Sequence, residues 1–118
     1  MYRIMKEFHF SASHQLKGLA EDHPCARLHG HNYIVVVELA AEELDATGFV
    51  RDYRDLGSFK DWLDETLDHR HLNDVLGDQG VTAERLARTF YAWCATRWPE
   101  TAAVRVSETP KTWAEYRP

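Results

Sequence analysis

The chain has few of the features that would assign it to a secreted, membrane or nucleic-acid-binding class. Two cysteines in 118 residues are too few for a disulfide scaffold, and Cys25 and Cys94 read as thiols with separate roles in a reducing compartment. No apolar run approaches the roughly 20 residues that a membrane-spanning helix needs. The opening segment, Met1 to Glu7, carries charge too early for the apolar stretch of a signal peptide. No lysine- or arginine-rich run occurs, and the net charge of −5 argues against a nucleic-acid partner. Repeats, low-complexity stretches and linkers are also missing. These absences leave one cytoplasmic domain spanning residues 1–118. The apolar fraction of 44% is enough for a packed core. A domain this short buries a smaller share of its surface than a larger one, which leaves room for partner chains.

What is present is strong alternation at both ends and helical spacing between them. From Tyr2 to His14, the residues Tyr2, Ile4, Phe8, Phe10, Ala12 and His14 share one parity, interrupted by Lys6. This predicts a strand with one buried face and His14 at its end on the apolar side. Gln15 to Leu28 reads as a loop, and His29 to Ala40 as a second strand. On one face of that strand lie His29, His31, Tyr33, Val35, Val37 and Leu39; Ile34 and Val36 make the opposite face apolar as well. Asp45 to Gly48 suits a turn. Asp52 to Leu67 has helical spacing with Asp52 as N-cap, and Asp68 to Gly80 reads as a polar loop. Thr82 caps a stronger helix bearing Leu86, Ala87, Phe90 and Cys94, which Pro99 stops. Ala103 to Thr109 and Thr112 to Arg117 complete the set as strands. The order β-β-α-α-β-β predicts an α+β fold: an antiparallel four-stranded sheet with two helices on one face. The other face needs cover, so a homo-oligomer is expected on physical grounds.

The chemistry concentrates in three places. His29 and His31 are two apart, so on a strand both rings project from the same face, and His14 can join them from the neighbouring strand. An unpaired imidazole on an apolar face costs free energy, whereas ligation uses its lone pair. Three imidazoles with one open position make a reactive zinc site, although ligand type alone also admits iron or copper. Gly30 between the two ligands permits close backbone approach. Cys25, four residues before His29, reads as a nucleophile or base beside the metal, as a fourth ligand, or as a small buried hydrophobe; spacing does not separate these. In the loop Asp68-His69-Arg70-His71, Asp68 can orient His69 as an acid or base, with His71 as its rival. Glu108 shares parity with Val104 and Val106. A carboxylate there either reaches solvent or grips an amidine-like heterocycle edge through paired hydrogen bonds.

Taken together, Phe10-Ser11-Ala12-Ser13-His14, Cys25 through Tyr33, Leu67-Asp68-His69 with Leu72-Asn73, Thr82-Ala83-Glu84 and Ser107-Glu108-Thr109 resemble the 6-pyruvoyl-tetrahydropterin synthase superfamily. The segments run in family order over nearly the whole chain. The three residues between Cys25 and His29 resemble the bacterial group that forms 6-carboxy-5,6,7,8-tetrahydropterin for queuosine and related 7-deazaguanines. Val81, where proline is common, and the turn Pro110-Lys111-Thr112-Trp113 depart from the pattern. The resemblance implies the tunnelling fold, in which sheets join into an oligomeric barrel, usually threefold or a pair of threefold rings, with sites at subunit interfaces. It implies zinc on His14, His29 and His31, Cys25 with Asp68 and His69 in catalysis, and Glu108 as the pterin anchor. The implied reaction converts 7,8-dihydroneopterin triphosphate to 6-carboxytetrahydropterin, releasing acetaldehyde and triphosphate. A sister lyase forming the 6-pyruvoyl product, and a non-catalytic zinc-stabilised pterin- or purine-binding protein, are the alternatives.

Overall fold

A computed structural model describes residues 1–118. Two 13-residue strands, β1 (Tyr2–His14) and β2 (His29–Ala41), form one long antiparallel ladder. The register pairs Phe8 with Val35, Ala12 with His31 and His14 with His29. The alternation sets this register, because a slip of one residue would turn every apolar side chain to the wrong face. After the turn around Asp45, Asp52 caps a short 3-10 turn (Tyr53–Leu56) by accepting the Arg54 N–H, and α1 (Gly57–Thr66) follows. The predicted helix thus begins as a tighter turn, because Asp52 holds the first N–H groups.

The segment 68–80 is not the plain loop that its polarity suggests. It contains β3 (Arg70–His71), α2 (Leu72–Leu76) and a 3-10 turn at Asp78–Gly80. β3 lies parallel to β1, with Ala12 opposite Arg70 and Ser13 opposite His71. α3 (Ala83–Ala95) starts where Thr82 accepts the Arg85 N–H. β4 (Thr101–Ser107) and β5 (Ala114–Tyr116) complete the sheet. The sheet is therefore five-stranded and mixed, in the order β3-β1-β2-β4-β5, and not four-stranded and antiparallel. A two-residue strand held by a side-chain and backbone clasp has no periodicity for a sequence reading to detect. β4 also starts and ends earlier than expected, so Glu108 lies one residue beyond the strand.

The core sits between one face of the sheet and helices α1 and α3. Tyr33, Val35, Val37, Leu39, Val104 and Val106 are fully buried, facing Phe59, Leu63, Leu86, Phe90 and Cys94. Phe8 meets Phe59 edge-on at 5.1 Å, and Phe10 meets Phe90 edge-on at 5.9 Å. Burial raises the Cys94 thiol to about 12, as expected for a structural cysteine. The opposite face of the sheet carries half-buried Ile34 and Val36. It also carries a buried carboxylate, Glu38, gripped by Arg117 at 2.7 Å and Arg105 at 3.1 Å. No helix is long and apolar enough to cross a membrane.

Candidate metal centre

The β1–β2 register brings the ends of both strands together, and with them His14, His29 and His31. One ring nitrogen from each lies within 4.8 Å of the others. The ring centroids are 4.5 to 5.0 Å apart, and all three ring pairs meet edge to face. Cys25 is not a member of this group. It lies in a 3-10 turn (Pro24–Ala26) capped by His23, whose Nδ1 accepts the Cys25 N–H, and its thiol is partly exposed.

Two backbone carbonyls decide the state of the histidines. His14 Nδ1 lies 2.7 Å from the Val81 carbonyl oxygen, and His29 Nδ1 lies 2.7 Å from that of Arg27. A carbonyl can only accept, so each Nδ1 carries a proton, and it is Nε2 that is left to present a lone pair in the neutral form of either ring. Those two Nε2 atoms face each other at 2.9 Å. Without a proton or a cation between them, two lone pairs at that distance repel. The third ring adds to the demand. His31 Nε2 is buried and makes no hydrogen bond, although Glu108 Oε2 comes within 3.1 Å. That contact is close enough for an ion pair but is not aligned for an N–H bond. Burial and the neighbouring His14 and His29 rings lower the His31 pKa against the opposing pull of Glu108, which keeps the ring in its neutral, ligating form. Three imidazoles, two of them oriented by backbone carbonyls, fit a zinc ion, whose nitrogen ligands stand about 3.4 Å apart in a tetrahedral site.

Glu108 straddles two environments. Its carboxylate lies 3.1 Å from His31 Nε2 and 4.0 Å from His14 Nε2. It also lines a cavity of about 280 Å³ with Val106, Ala83, Glu84 and Trp113. Tyr33, which reads from the sequence only as a core residue, stacks on Phe10 at 4.8 Å and reaches the histidine cluster. Its hydroxyl is buried without a partner, and burial together with the nearby Glu108 raises its pKa.

Asp68 and His69 form a clasped pair. Asp68 Oδ1 accepts the Ser11 N–H at 2.8 Å, and Oδ2 lies 2.8 Å from His69 Nδ1. The Ser11 N–H, followed by His69, holds the Asp68 carboxyl below its ordinary value. The His69 N–H donates back to the Ser11 carbonyl at 2.6 Å. This clasp keeps His69 at a φ of 58°, which non-glycine residues seldom adopt. The ring itself is 81% exposed, so its free edge points away from the chain's own core. His71, the rival, is engaged by Ser13 Oγ at 2.9 Å instead. His69, Arg70, His71, Ser11, Ser13 and His31 contribute to a second, more open cavity of about 480 Å³. The chain thus gathers the three histidines and Glu108 into one cluster, while Cys25 and the Asp68–His69 pair stand outside it.

Known proteins share both sequence and shape with this chain. A family model described as 6-pyruvoyl tetrahydropterin synthase matches residues 3–118, so the chain belongs to that family of pterin enzymes. A 6-carboxy-5,6,7,8-tetrahydropterin synthase of Synechocystis is 39% identical, over 78% of this chain and 74% of its own length. The Bacillus subtilis protein of the same name is 33% identical, over 99% of this chain and 86% of its own. The 6-pyruvoyl tetrahydropterin synthase of Caenorhabditis elegans superposes with a TM-score of 0.85 at 26% identity, over 99% of this chain and 95% of that one. The architecture is the tunnelling fold of these proteins.

Proposed function

We propose that the chain is a zinc-dependent 6-carboxy-5,6,7,8-tetrahydropterin synthase. It converts 7,8-dihydroneopterin triphosphate to the 6-carboxy product with release of acetaldehyde and triphosphate, and serves queuosine and 7-deazaguanine synthesis in the cytoplasm. The observation that carries the reading is the pair of facing Nε2 lone pairs on His14 and His29, with the unpartnered His31 Nε2 beside them. His14, His29 and His31 would hold the zinc ion, which when bound would supply Lewis-acid polarisation of the substrate's side-chain hydroxyls. Cys25, as thiolate, takes a proton from the side-chain carbon. His69, with its Nδ1 held by Asp68, presents Nε2 as the proton carrier on the other side of the substrate. Glu108 accepts paired hydrogen bonds from the amino-pyrimidine edge.

The exposed ring of His69 and the separate location of Cys25 support a site completed between subunits. The homo-oligomer is taken to be a trimer or a pair of trimers, with sheets joined into a barrel. The names of the Synechocystis and Bacillus relatives favour the carboxy product. The Caenorhabditis structure keeps a 6-pyruvoyl product as the second reading. Incubating the zinc-loaded protein with 7,8-dihydroneopterin triphosphate and identifying products by mass tests the choice. Acetaldehyde and 6-carboxytetrahydropterin are expected; a 6-pyruvoyl product without acetaldehyde establishes the alternative.

A further inference from the structure

Trp113 stands apart from the other three tryptophans. Trp62 and Trp93 pack against the core, and Trp98 is buried within it. Trp113 leaves 48% of its surface exposed. It lines the 280 Å³ cavity to which Glu108 also belongs. The remaining apolar walls, Val106, Ala83 and Ala114, are small and aliphatic. Trp113 is the sole aromatic residue lining that space.

Its position is fixed by the segment that links Glu108 to β5. Thr109-Pro110-Lys111-Thr112 closes as a turn with proline at its second position, and the Thr112 N–H donates to the Thr109 carbonyl at 3.2 Å. The Thr109 and Thr112 hydroxyls lie 3.1 Å apart, and Ser107 Oγ donates to the same Thr109 carbonyl. On the far side, Ala114 is registered against Val106. Trp113 is therefore tied at both flanks, a fixed number of residues from Glu108, on a segment with little freedom left to lose on binding.

We propose that Trp113 is a specificity-determining residue that covers one face of the bicyclic heterocycle whose amino-pyrimidine edge Glu108 holds. The inference rests on the pterin reading above and deepens it. A carboxylate gripping an amino-pyrimidine edge fixes that edge alone; a one-ring aminopyrimidinone satisfies it as well as a pterin does. Discrimination in favour of two fused rings needs a surface beyond the edge, and an indole supplies one through stacking. In this role Trp113 takes no part in proton transfer.

The test measures binding to the zinc-loaded protein by calorimetry, with two probes: pterin, and the monocyclic 2-amino-4-hydroxypyrimidine that carries the same edge. Trp113→Ala should raise the Kd for pterin by about tenfold, the usual scale for losing one aromatic stacking face. The monocycle's Kd should stay within about twofold. Trp113→Phe, which keeps a smaller ring, should fall between wild type and Trp113→Ala. Equal weakening of both probes, or no change for pterin in Trp113→Ala, overturns the inference and leaves the pterin reading standing. Failure of wild-type protein to bind either probe removes the pterin reading and this inference together.

Discussion

Supplying zinc to metal-free protein at a thousandfold excess over its Kd should raise the midpoint of thermal unfolding by about 16 °C. A ligand that binds only the folded state at that excess contributes about 4.1 kcal/mol. Unfolding entropy near 60 °C is about 2.1 cal/mol/K per residue, which for 118 residues is roughly 0.25 kcal/mol for each degree. The ratio of the two gives the shift. The folded state has a specific reason to bind: His14 and His29 oppose bare Nε2 atoms at 2.9 Å, and both rings are held in that tautomer by carbonyls 2.7 Å away. Unfolding dissolves that arrangement, so the unfolded chain has no comparable site. Calorimetric scans with and without zinc at fixed pH measure the effect. In His31→Ala the shift should fall to less than half of the wild-type value, since one of three ligands is gone. An unchanged melting temperature on zinc addition refutes the tautomer argument. A full-sized shift surviving in His31→Ala shows that the third ligand has been misassigned.

Three further outcomes follow from other residues. Cys25→Ala should retain stoichiometric zinc and lose turnover by about a hundredfold or more; a thiol reagent should label Cys25 in the zinc-loaded protein while buried Cys94 stays unmodified, and zinc lost with the label would make Cys25 a ligand. Tyr33→Phe should stabilise the metal-free protein by about 1 kcal/mol, because it deletes a buried hydroxyl that has no partner; a destabilisation of that size in denaturant unfolding would mean that the hydroxyl is satisfied in solution. Glu38→Gln should destabilise by about 2 kcal/mol at pH 7, less than for a wholly buried ion pair, because Arg105 and Arg117 are each about a third exposed. The Arg117 hydrogen bond holds the Glu38 carboxyl below its ordinary 4.5. Its contribution is therefore complete above pH 4.5 and is lost as pH falls through the lowered folded value. The wild-type and Glu38→Gln stability curves should converge in acid, and parallel curves from pH 7 to pH 3 would remove Glu38 from the account.

The residues differ in how far the sequence alone reached them. β1 and the start of β2 were legible to the residue, because period-2 alternation leaves only one face that can be buried. That same alternation put His29 and His31 on one face of β2 and His14 on the apolar side of β1. Thr82 and Asp52 announced their caps through residue type. β3 was not legible: two residues, Arg70 and His71, pair with β1 through a backbone contact that no periodicity reports. The Asp68–His69 couple was legible from its motif, but the backbone clasp to Ser11, across 57 positions, that holds it was not.

Side-chain pattern therefore determined which residues face the core, which two imidazoles share a face of β2 with a third at the end of β1 to join them, and the family to which the motifs point. Tertiary structure decided their chemistry. The Val81 and Arg27 carbonyls that set two tautomers, the buried Tyr33 hydroxyl left without a partner, and the meeting of Glu108 with Trp113 in one cavity all arise from backbone groups and distant segments. Alternation reports which way a side chain points; only the folded chain fixes what it points at.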